Sequence, residues 1–537
     1  MDQPRARDRW LTCGVFAVAA LVLATNLGHY ALWDPDEGRH SEIARELFAA
    51  STWQGKLLLA RNFEPYHDKP ILYYWLTSAA YGLVGVNELG ARLVSALAAL
   101  TTLAIVFAWC AAVWNRRAAC LAVAVLISSI GFLGLGRYGS LDMLLTCWLT
   151  LGLTAAERWT AAPERRRLLY LAATAGGLGM LTKGLVAPLF IGAIPLVHAI
   201  VARRRIPRTP RAYVGPALAF LAVAAPWYVA VGLLDPTYLR DFFLVHHLAR
   251  FSEDRTTFHA GPWWYYGPAL LLLFFPWGML LPATLRAVVV QRDAPAVFCL
   301  CWAAVILGFF SCSHGKLATY ALPVVPPLAA LTARMLARPV EHVGRLVTAG
   351  LGVVLVMLTI APPMTLLVNA HHPSGVLTQV APSLWPLPVA ALVLVGVWRL
   401  RGARAAAIGL VPAVIGGALF FYVRFAPQVS RVVSERGLAV IIDSAPPAPI
   451  VTYSVTAASL LFYVGRPVVR INRPRLLRDL LAEHPFVWIV TSPRHVAEIA
   501  AVAAVYPWDT SARHVLYAPV PPGSAPRLGD AANDPPS

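Results

Sequence analysis

Asp36 and Glu37 head a densely charged run, Trp33-Asp34-Pro35-Asp36-Glu37-Gly38-Arg39-His40-Ser41-Glu42-Ile43-Ala44-Arg45-Glu46, directly after the apolar stretch Leu11 to Leu32. A carboxylate at the exit of a bilayer-length apolar segment can act as a base on a group presented from the compartment beyond. Arg39, Glu42, Arg45 and Glu46 recur at helical spacing, and surface ion pairs at i, i+3 and i, i+4 account for Glu42 and Glu46. They do not account for Asp36, which follows Pro35 ahead of the regular helix and is either an N-cap or a chemical group.

A second cluster, Tyr66-His67-Asp68-Lys69-Pro70 followed by Tyr73-Tyr74-Trp75, sets an acid beside a lysine ahead of an aromatic helix. Tyr and Trp favour the headgroup depth, and a lysine there is a compact cation suited to a phosphate or simply an interfacial anchor. Further ionisable groups are Asp142, Lys183 in Leu181-Thr182-Lys183-Gly184, the stretch from His246 and His247 through Arg250 to His259, and Ser313-His314-Gly315-Lys316 leading to Tyr320. Lys183 can also be read as snorkelling to the interface.

The elements that must position these groups follow from composition. Of 537 residues, 58% are hydrophobic and 13% charged, with mean hydropathy +0.61; a soluble domain carries about 25% charge. The chain is mainly α and polytopic. With about 20 apolar residues per crossing, the expected spans are near 11–32, 89–113, 118–137, 140–157, 168–182, 185–201, 212–233, 263–285, 295–312, 318–336, 346–368, 384–398 and 405–424, about thirteen in all. The net charge of +18 reflects arginines in short loops rather than a nucleic-acid surface. Arg5/Arg7/Arg9, Arg116/Arg117, Arg165–Arg167, Arg203–Arg205, Arg286/Arg292, Arg338/Arg345 and Arg399/Arg401/Arg404 fall on one side, the cytoplasm, by the positive-inside rule. Pro70 to Val86 is short and interrupted by Pro70, Gly82 and Gly85, so it is expected to lie along the membrane surface. The acids and lysines of five loops then converge on the opposite face. The seven cysteines show no CxxC or zinc-ribbon spacing.

From about Ser434 strand-like stretches (451–455, 467–471, 486–491 and 514–519) alternate with amphipathic helices (476–483 and 494–505). The expected organisation is a transmembrane domain, 1–433, with a first periplasmic loop at 33–88; a small periplasmic α/β domain, 434–519; and a disordered tail, 520–537.

Several of these motifs, in order, resemble the aminoarabinose-transferase and protein-O-mannosyltransferase superfamily of membrane glycosyltransferases. They are Asp-Glu-x-Arg-x-x-Glu-Ile-x-Arg-Glu at Asp36–Glu46, the acidic-Lys-Pro at Asp68–Pro70, Asp142-Met-Leu-Leu-Thr146, Leu181–Gly184 and Lys316-Leu-x-x-Tyr-x-Leu-Pro323. The resemblance implies a C-type glycosyltransferase bundle in the bacterial inner membrane. It further implies a polyprenyl-phosphate-linked sugar as donor and a lipid A-type or other envelope glycolipid as acceptor on the periplasmic face. It assigns Asp36, with Glu37 and Asp142, to catalysis, and Lys69, Lys183, Arg250, Tyr320 and Lys316 to the donor phosphate. The chain departs from the family at Asp68, where glutamate is usual, and in a longer gap between Asp36 and Asp68, with Gly55 to Asn62 resembling an insertion.

A phosphate leaving group needs cations rather than a proton donor, and one displacement with one base inverts the anomeric centre. Asp68, His247 and His259 are a possible divalent-metal set without motif spacing. The rival class is a transporter or flippase for an anionic lipid or sugar, which would place charges at the midplane and show paired repeats; a third is a structural envelope subunit. Charges at span ends and the lack of a visible repeat favour the enzyme.

Overall fold

The computed structural model describes residues 6–203, 210–249, 261–338, 343–371, 375–445, 447–484, 486–509 and 514–519. Helix α1 (Ala6–Ala24) leads into α2 (Asp36–Ala49) and a minimal hairpin, β1 (Ala60–Arg61) with β2 (Glu64–Pro65); α3 (Leu72–Val84) and α4 (Glu88–Val113) follow. The bundle continues through α5 (Arg116–Ile127), α6 (Ile130–Gly136), α7 (Leu141–Ala161) and α8 (Arg166–Lys183), then helices at Val186–Val201, Arg211–Leu234, Tyr266–Leu273, Leu281–Val290, Ala294–Cys312, Val325–Ala337, Gly344–His371, Pro386–Arg401 and Ala403–Arg424.

Every expected span falls on a helix or a bent pair of helices. Among the described residues seven helices are long and apolar enough to cross a membrane, or up to nine if the pairs Arg116–Ile127 with Ile130–Gly136 (bent 71°) and Tyr266–Leu273 with Trp277–Val290 (bent 112°) each count as one span. This is fewer than the sequence reading because the apolar helices Arg9–Ala24 and Val186–Val201 are short, and because α7 and α8 carry charge at their ends: Asp142, Glu157 and Arg158 on one, Arg166, Arg167 and Lys183 on the other. Pro70 to Val86 contributes the 13-residue helix α3, as expected of a segment too short to span.

Helix starts follow local chemistry. Asn87 and Asn115 cap α4 and α5, their side chains accepting from the Gly90 and Ala118 amides, both at 2.9 Å; this satisfies donors that a helix N-terminus leaves free. A buried arginine then binds the α1 exit to the bundle. The Arg137 guanidinium donates to the carbonyls of Val22, Leu23 and Thr25 and stacks 3.8 Å from the Tyr422 ring centroid. One continuous apolar core runs through the helices.

The C-terminal region is a five-stranded sheet of β3 (Ile450–Tyr453), β4 (Val469–Ile471), β5 (Trp488–Thr491), β6 (Tyr506–Asp509) and β7 (Val515–Ala518), in the order β4-β3-β5-β7-β6. β4, β3 and β5 are parallel; β7 and β6 are antiparallel. Helices Ala458–Val464 and Pro474–Glu483 make the crossovers, and an apolar cluster covers each face of the sheet. One expectation fails: 494–505 is a 3-10 turn and the short helix Val496–Ala500, followed by β6. Pro507 hid this strand, because proline is excluded from central strands; β6 is an edge strand, irregular between Pro507 and Asp509, where proline is tolerated.

Candidate active site

Asp36 is the first residue of α2, where a carboxylate complements the helix dipole. It pairs with Arg39, and Asp36 remains 39% exposed, so its carboxylate is accessible. Glu37, one residue on, has the opposite fate. It is fully buried, and one oxygen accepts from Arg92 Nε (2.7 Å) and the Gly139 amide (2.9 Å), the other from Arg92 Nη2 (2.7 Å) and the Trp33 amide (2.8 Å). A carboxylate offers about four acceptor sites, and here the protein fills them. The catalytic role expected for Glu37 gives way to a positioning one: it fixes the start of α2 against α4 and the loop before α7, and so fixes Asp36.

Antiparallel packing of α7 and α8 brings together two residues far apart in sequence. Asp142 lies in the first turn of α7 and Lys183 in the last turn of α8, where Gly184 (φ +86°) ends the helix. Each charge complements its own helix dipole, and the two form an ion pair in which each side chain is 16% exposed. Lys183 Nζ also lies 4.4 Å from the Tyr320 ring centroid, a cation–π contact. Asp36 is close enough to contribute to the field at Lys183. Tyr320 comes from the 3-10 segment Ala318–Val324. Lys316, just before it, is 5% exposed and donates to the Ser313 carbonyl.

The second sequence cluster folds against the same face. Lys69 Nζ donates to the Asp68 carbonyl (3.1 Å), and Tyr238 Oη holds the Lys69 carbonyl (3.0 Å). His67 bridges Asp235 (2.8 Å) and Asp241 (2.9 Å), tying the loop after β2 to the segment that follows Arg211–Leu234. Asp68 and Tyr66 both act electrostatically on Arg39. The structure thus brings Asp36, Asp68, Lys69, Asp142, Lys183 and Tyr320 to one region. Arg250 and His259 lie outside the described residues, as does the side chain of His247; among the described residues no three His, Cys, Asp or Glu side chains form a metal-binding group.

The motifs assigned no role to two neighbours of Asp36, Arg39 and His40. Arg39 partners Asp36 at i, i+3. His40, one helical turn beyond Asp36, is buried with its Nδ1 3.0 Å from Tyr74 Oη. Burial, with the charges of Arg39, Lys69, Lys183 and Arg61, holds the imidazole well below its usual pKa, so His40 is neutral at neutral pH and does not add to the local cations. The i, i+3, i+4 spacing from Asp36 was the available signal.

The C-terminal domain closes over the start of α2. Asp34 accepts from the Ser459 amide (2.6 Å) and the Ser459 hydroxyl (2.9 Å), and Glu435 meets His514 Nδ1 at 2.6 Å. Approach is so close that a Cβ at Gly38 would lie 2.5 Å from the Ser459 amide nitrogen. Burial first, then the Glu435 carboxylate, pushes Asp34 up to about 7. The fold therefore retains a proton that the unfolded chain releases near pH 4. Stability from this group is full below about pH 4, declines as pH rises towards 7 and is lost above. Asp34→Asn should flatten that decline and raise resistance at pH 7.5, on the order of 3 kcal/mol. Limited proteolysis of the C-terminal domain across pH 5–8 checks it.

Two apolar grooves lie along the helical bundle. One, about 480 Å³, is lined by Met180, Ala224, Tyr228 and Phe243; the other, about 570 Å³, by Trp159, Ala172 and Ile191; Phe220 belongs to both. The first touches α8 at Met180, one turn from Lys183; the second touches it further back, from Leu169 to Gly176.

The chain is similar to known proteins in sequence and in fold. Residues 68–229 match the family model described as dolichyl-phosphate-mannose-protein mannosyltransferase. The undecaprenyl phosphate-alpha-4-amino-4-deoxy-L-arabinose arabinosyl transferase of Pectobacterium carotovorum is 36% identical over 327 residues, 59% of this chain and 58% of that protein. The enzyme of that name from Pseudomonas aeruginosa is 34% identical over 331 residues, covering 60% and 59%. The chain thus spans somewhat under three fifths of the length of these curated relatives. The crystal structure of ArnT from Cupriavidus metallidurans bound to undecaprenyl phosphate superimposes with a TM-score of 0.80 over 97% of this chain and all of that one, at 24% identity, a likeness of fold. An archaeal oligosaccharyltransferase from Archaeoglobus fulgidus matches with a TM-score of 0.52 at 12% identity over 93% of this chain and 72% of its own. The chain is thus a multi-pass membrane protein that is similar in sequence, over about three fifths of its length, to aminoarabinose transferases and similar in fold to a solved one.

Proposed function

We propose that this protein is an integral-membrane glycosyltransferase that moves a sugar from a polyprenyl-phosphate donor to a lipid A-type or related envelope glycolipid. The observation that carries the reading is the accessible Asp36 carboxylate near Lys69 and Lys183, with an apolar groove that reaches Met180, one turn from Lys183. The groove suits the polyprenyl chain, and the lysines suit the phosphate. In the reaction the acceptor oxygen attacks the anomeric carbon and Asp36 takes its proton. The bond from that carbon to the phosphate oxygen breaks, and polyprenyl phosphate leaves with the electron pair, its charge met by the lysines. One displacement gives inversion. Asp142 orients Lys183, and Arg250 and Lys316 are further cations for the donor. Residues 1–433 form the transferase domain, 434–519 a periplasmic cover, and 520–537 a tail outside the described residues. The positive-inside pattern supports the bacterial inner membrane with the site facing the periplasm.

Mass spectrometry of envelope lipids from cells with and without the protein tests this reading. A sugar-sized mass increment on a glycolipid should vanish with the gene and return with it; unchanged lipids would refute it. Lys183→Ala and Lys69→Ala should each raise the donor KM about tenfold or more, since charge-assisted bonds to phosphate are the stronger kind, and leave the acceptor KM nearly unchanged. Steady-state titration of each substrate measures the split.

A further inference from the structure

A third apolar groove, about 740 Å³, lies between α1, α5 and the helix Ala403–Arg424. Trp10 and Val18 line it from the first helix, Ala124 from the second, and Val411, Ile415 and Leu419 from the third. The lining runs from Trp10 to Val18 and from Val411 to Leu419, about 12 Å in each case at 1.5 Å per residue. That is close to one leaflet of a hydrocarbon core about 30 Å thick. The transfer reaction proposed above makes no use of this groove.

Arginines gather at one end of it. Arg9 directly precedes Trp10. Arg116 Nε donates to Thr12 Oγ1 (3.0 Å), which also lies 3.7 Å from Cys120 Sγ, so the first turns of α5 stand beside Leu11 and Gly14 of the lining. Arg117 precedes Ala124 by seven residues, and Arg404 precedes Val411 by seven and Ile415 by eleven. These separations are close to two and three helical turns, so both arginines lie on the groove-facing sides of their helices. Arg117 acts electrostatically on Arg404, which places the two charges at the same end. At the far end Asn26 Nδ2 donates to the Tyr422 carbonyl (2.7 Å) and ties the chain after α1 to the last helix.

Apolar surface alone would accept any lipid tail, and arginines that only mark one side of a membrane turn their guanidiniums to water. Arg404 does not: its Nε and Nη2 are buried and have no hydrogen-bond partner. The charge beside it is the like charge of Arg117, and like charges repel. An anion with several acceptor oxygens relieves both conditions, and the planar guanidinium fork matches phosphate geometry. Arg117 is exposed and Arg404 half-buried, so an anion has access to both. Basic pockets between membrane helices take anionic lipid head groups in this way. Helical side chains tilt towards the N-terminus, and α5 and Ala403–Arg424 both begin at the arginine end, so the guanidiniums point to head-group depth and the groove receives a tail.

We propose that this groove binds an anionic phospholipid, with an acyl chain along α1 and Ala403–Arg424 and the phosphate held by Arg117 and Arg404, while Arg9 and Arg116 add to the positive field. The depth of one leaflet favours an acyl chain over a polyprenyl chain. The lipid fastens α1 to the last membrane helix at the end opposite the Asn26–Tyr422 bond. The site stands whether or not the protein transfers sugar; only its assignment to the cytoplasmic leaflet rests on the orientation proposed above.

The test uses the full-length protein in detergent, with apparent melting temperature as the folding control. Native mass spectrometry counts bound lipid after equal additions of phosphatidylglycerol or phosphatidylcholine, which carry the same tails and a phosphate but differ in net charge. Wild type should retain phosphatidylglycerol at least about tenfold better, and the double variant Arg117→Ala/Arg404→Ala should bring the ratio within about twofold. A Cβ at Gly14 or Gly416 would meet nothing within 4 Å, so Gly14→Leu/Gly416→Leu has open space to enter; by filling the groove it should lower retention of phosphatidylglycerol with the arginines intact. Added phosphatidylglycerol should raise the melting temperature of wild type and not that of the arginine variant, because a ligand of the folded state stabilises it. Equal retention of the two lipids by wild type, an unchanged ratio in the arginine variant, or unchanged retention with the groove filled overturns the proposal. So does displacement of bound phosphatidylglycerol by an equal amount of polyprenyl phosphate, which would give the groove to that lipid instead.

Discussion

Asp36→Asn should transfer sugar at least about a hundredfold more slowly than wild type while remaining folded and in the membrane, because general-base assistance contributes about 10²–10⁴ in rate. The substitution keeps the side chain's shape and its ability to accept from Arg39, which pairs with the carboxylate in the wild type. What it removes is the capacity to take a proton. Two neighbouring carboxylates are committed elsewhere: Glu37 has both oxygens held by Arg92 and two amides, and Asp142 is engaged by Lys183. Donor KM should change little. Steady-state rates of variant and wild type, with membrane yield as the folding control, check the role.

Arg92→Ala should leave little folded protein. The guanidinium is fully buried, and its five N–H groups reach the two Glu37 oxygens and the carbonyls of Leu27, Tyr30 and Ala31, at 2.7–3.0 Å. It also lies 3.7 Å from the Tyr30 ring centroid. Truncation would strand the Glu37 charge in the interior and release three carbonyls at the exit of α1. Removing one partner of such a pair costs about 3–5 kcal/mol, a large share of a typical domain's stability. Size-exclusion profiles and membrane yield would show it. Arg92→Ala/Glu37→Gln should recover part of the loss by removing the stranded charge, and a double variant no better than the single would contradict this account of the pair.

These two residues show what the sequence made legible and what it did not. Asp36 stood out because it follows Pro35 at the start of the helix, although in the structure it also takes the i, i+3 ion pair with Arg39 that the spacing reading had not given it. Glu37 was grouped with it by adjacency, yet in a helix adjacent side chains point about 100° apart, so one faces the open site and the other the interior. The partner that decides its role, Arg92, lies 55 positions away and carries no local mark of burial. Lys183 and Asp142 were each weak alone, and only the antiparallel course of α7 and α8 joins them. Hydropathy located the helices, but it could not show the 71° and 112° breaks, which depend on packing. The edge strand β6 was hidden by Pro507, and the attachment of the C-terminal domain through Asp34, Ser459, Glu435 and His514 depends on tertiary proximity that no spacing encodes.

The most direct measurement is transfer by the purified protein from a polyprenyl-phosphate donor labelled with ³H in the sugar and ³²P in the phosphate. The account predicts that tritium moves to the glycolipid acceptor while an equal amount of labelled polyprenyl phosphate is released, with inverted configuration at the anomeric carbon and loss of both signals in Asp36→Asn. Movement of intact, doubly labelled donor across a vesicle membrane without cleavage, or undiminished transfer by Asp36→Asn, would contradict it.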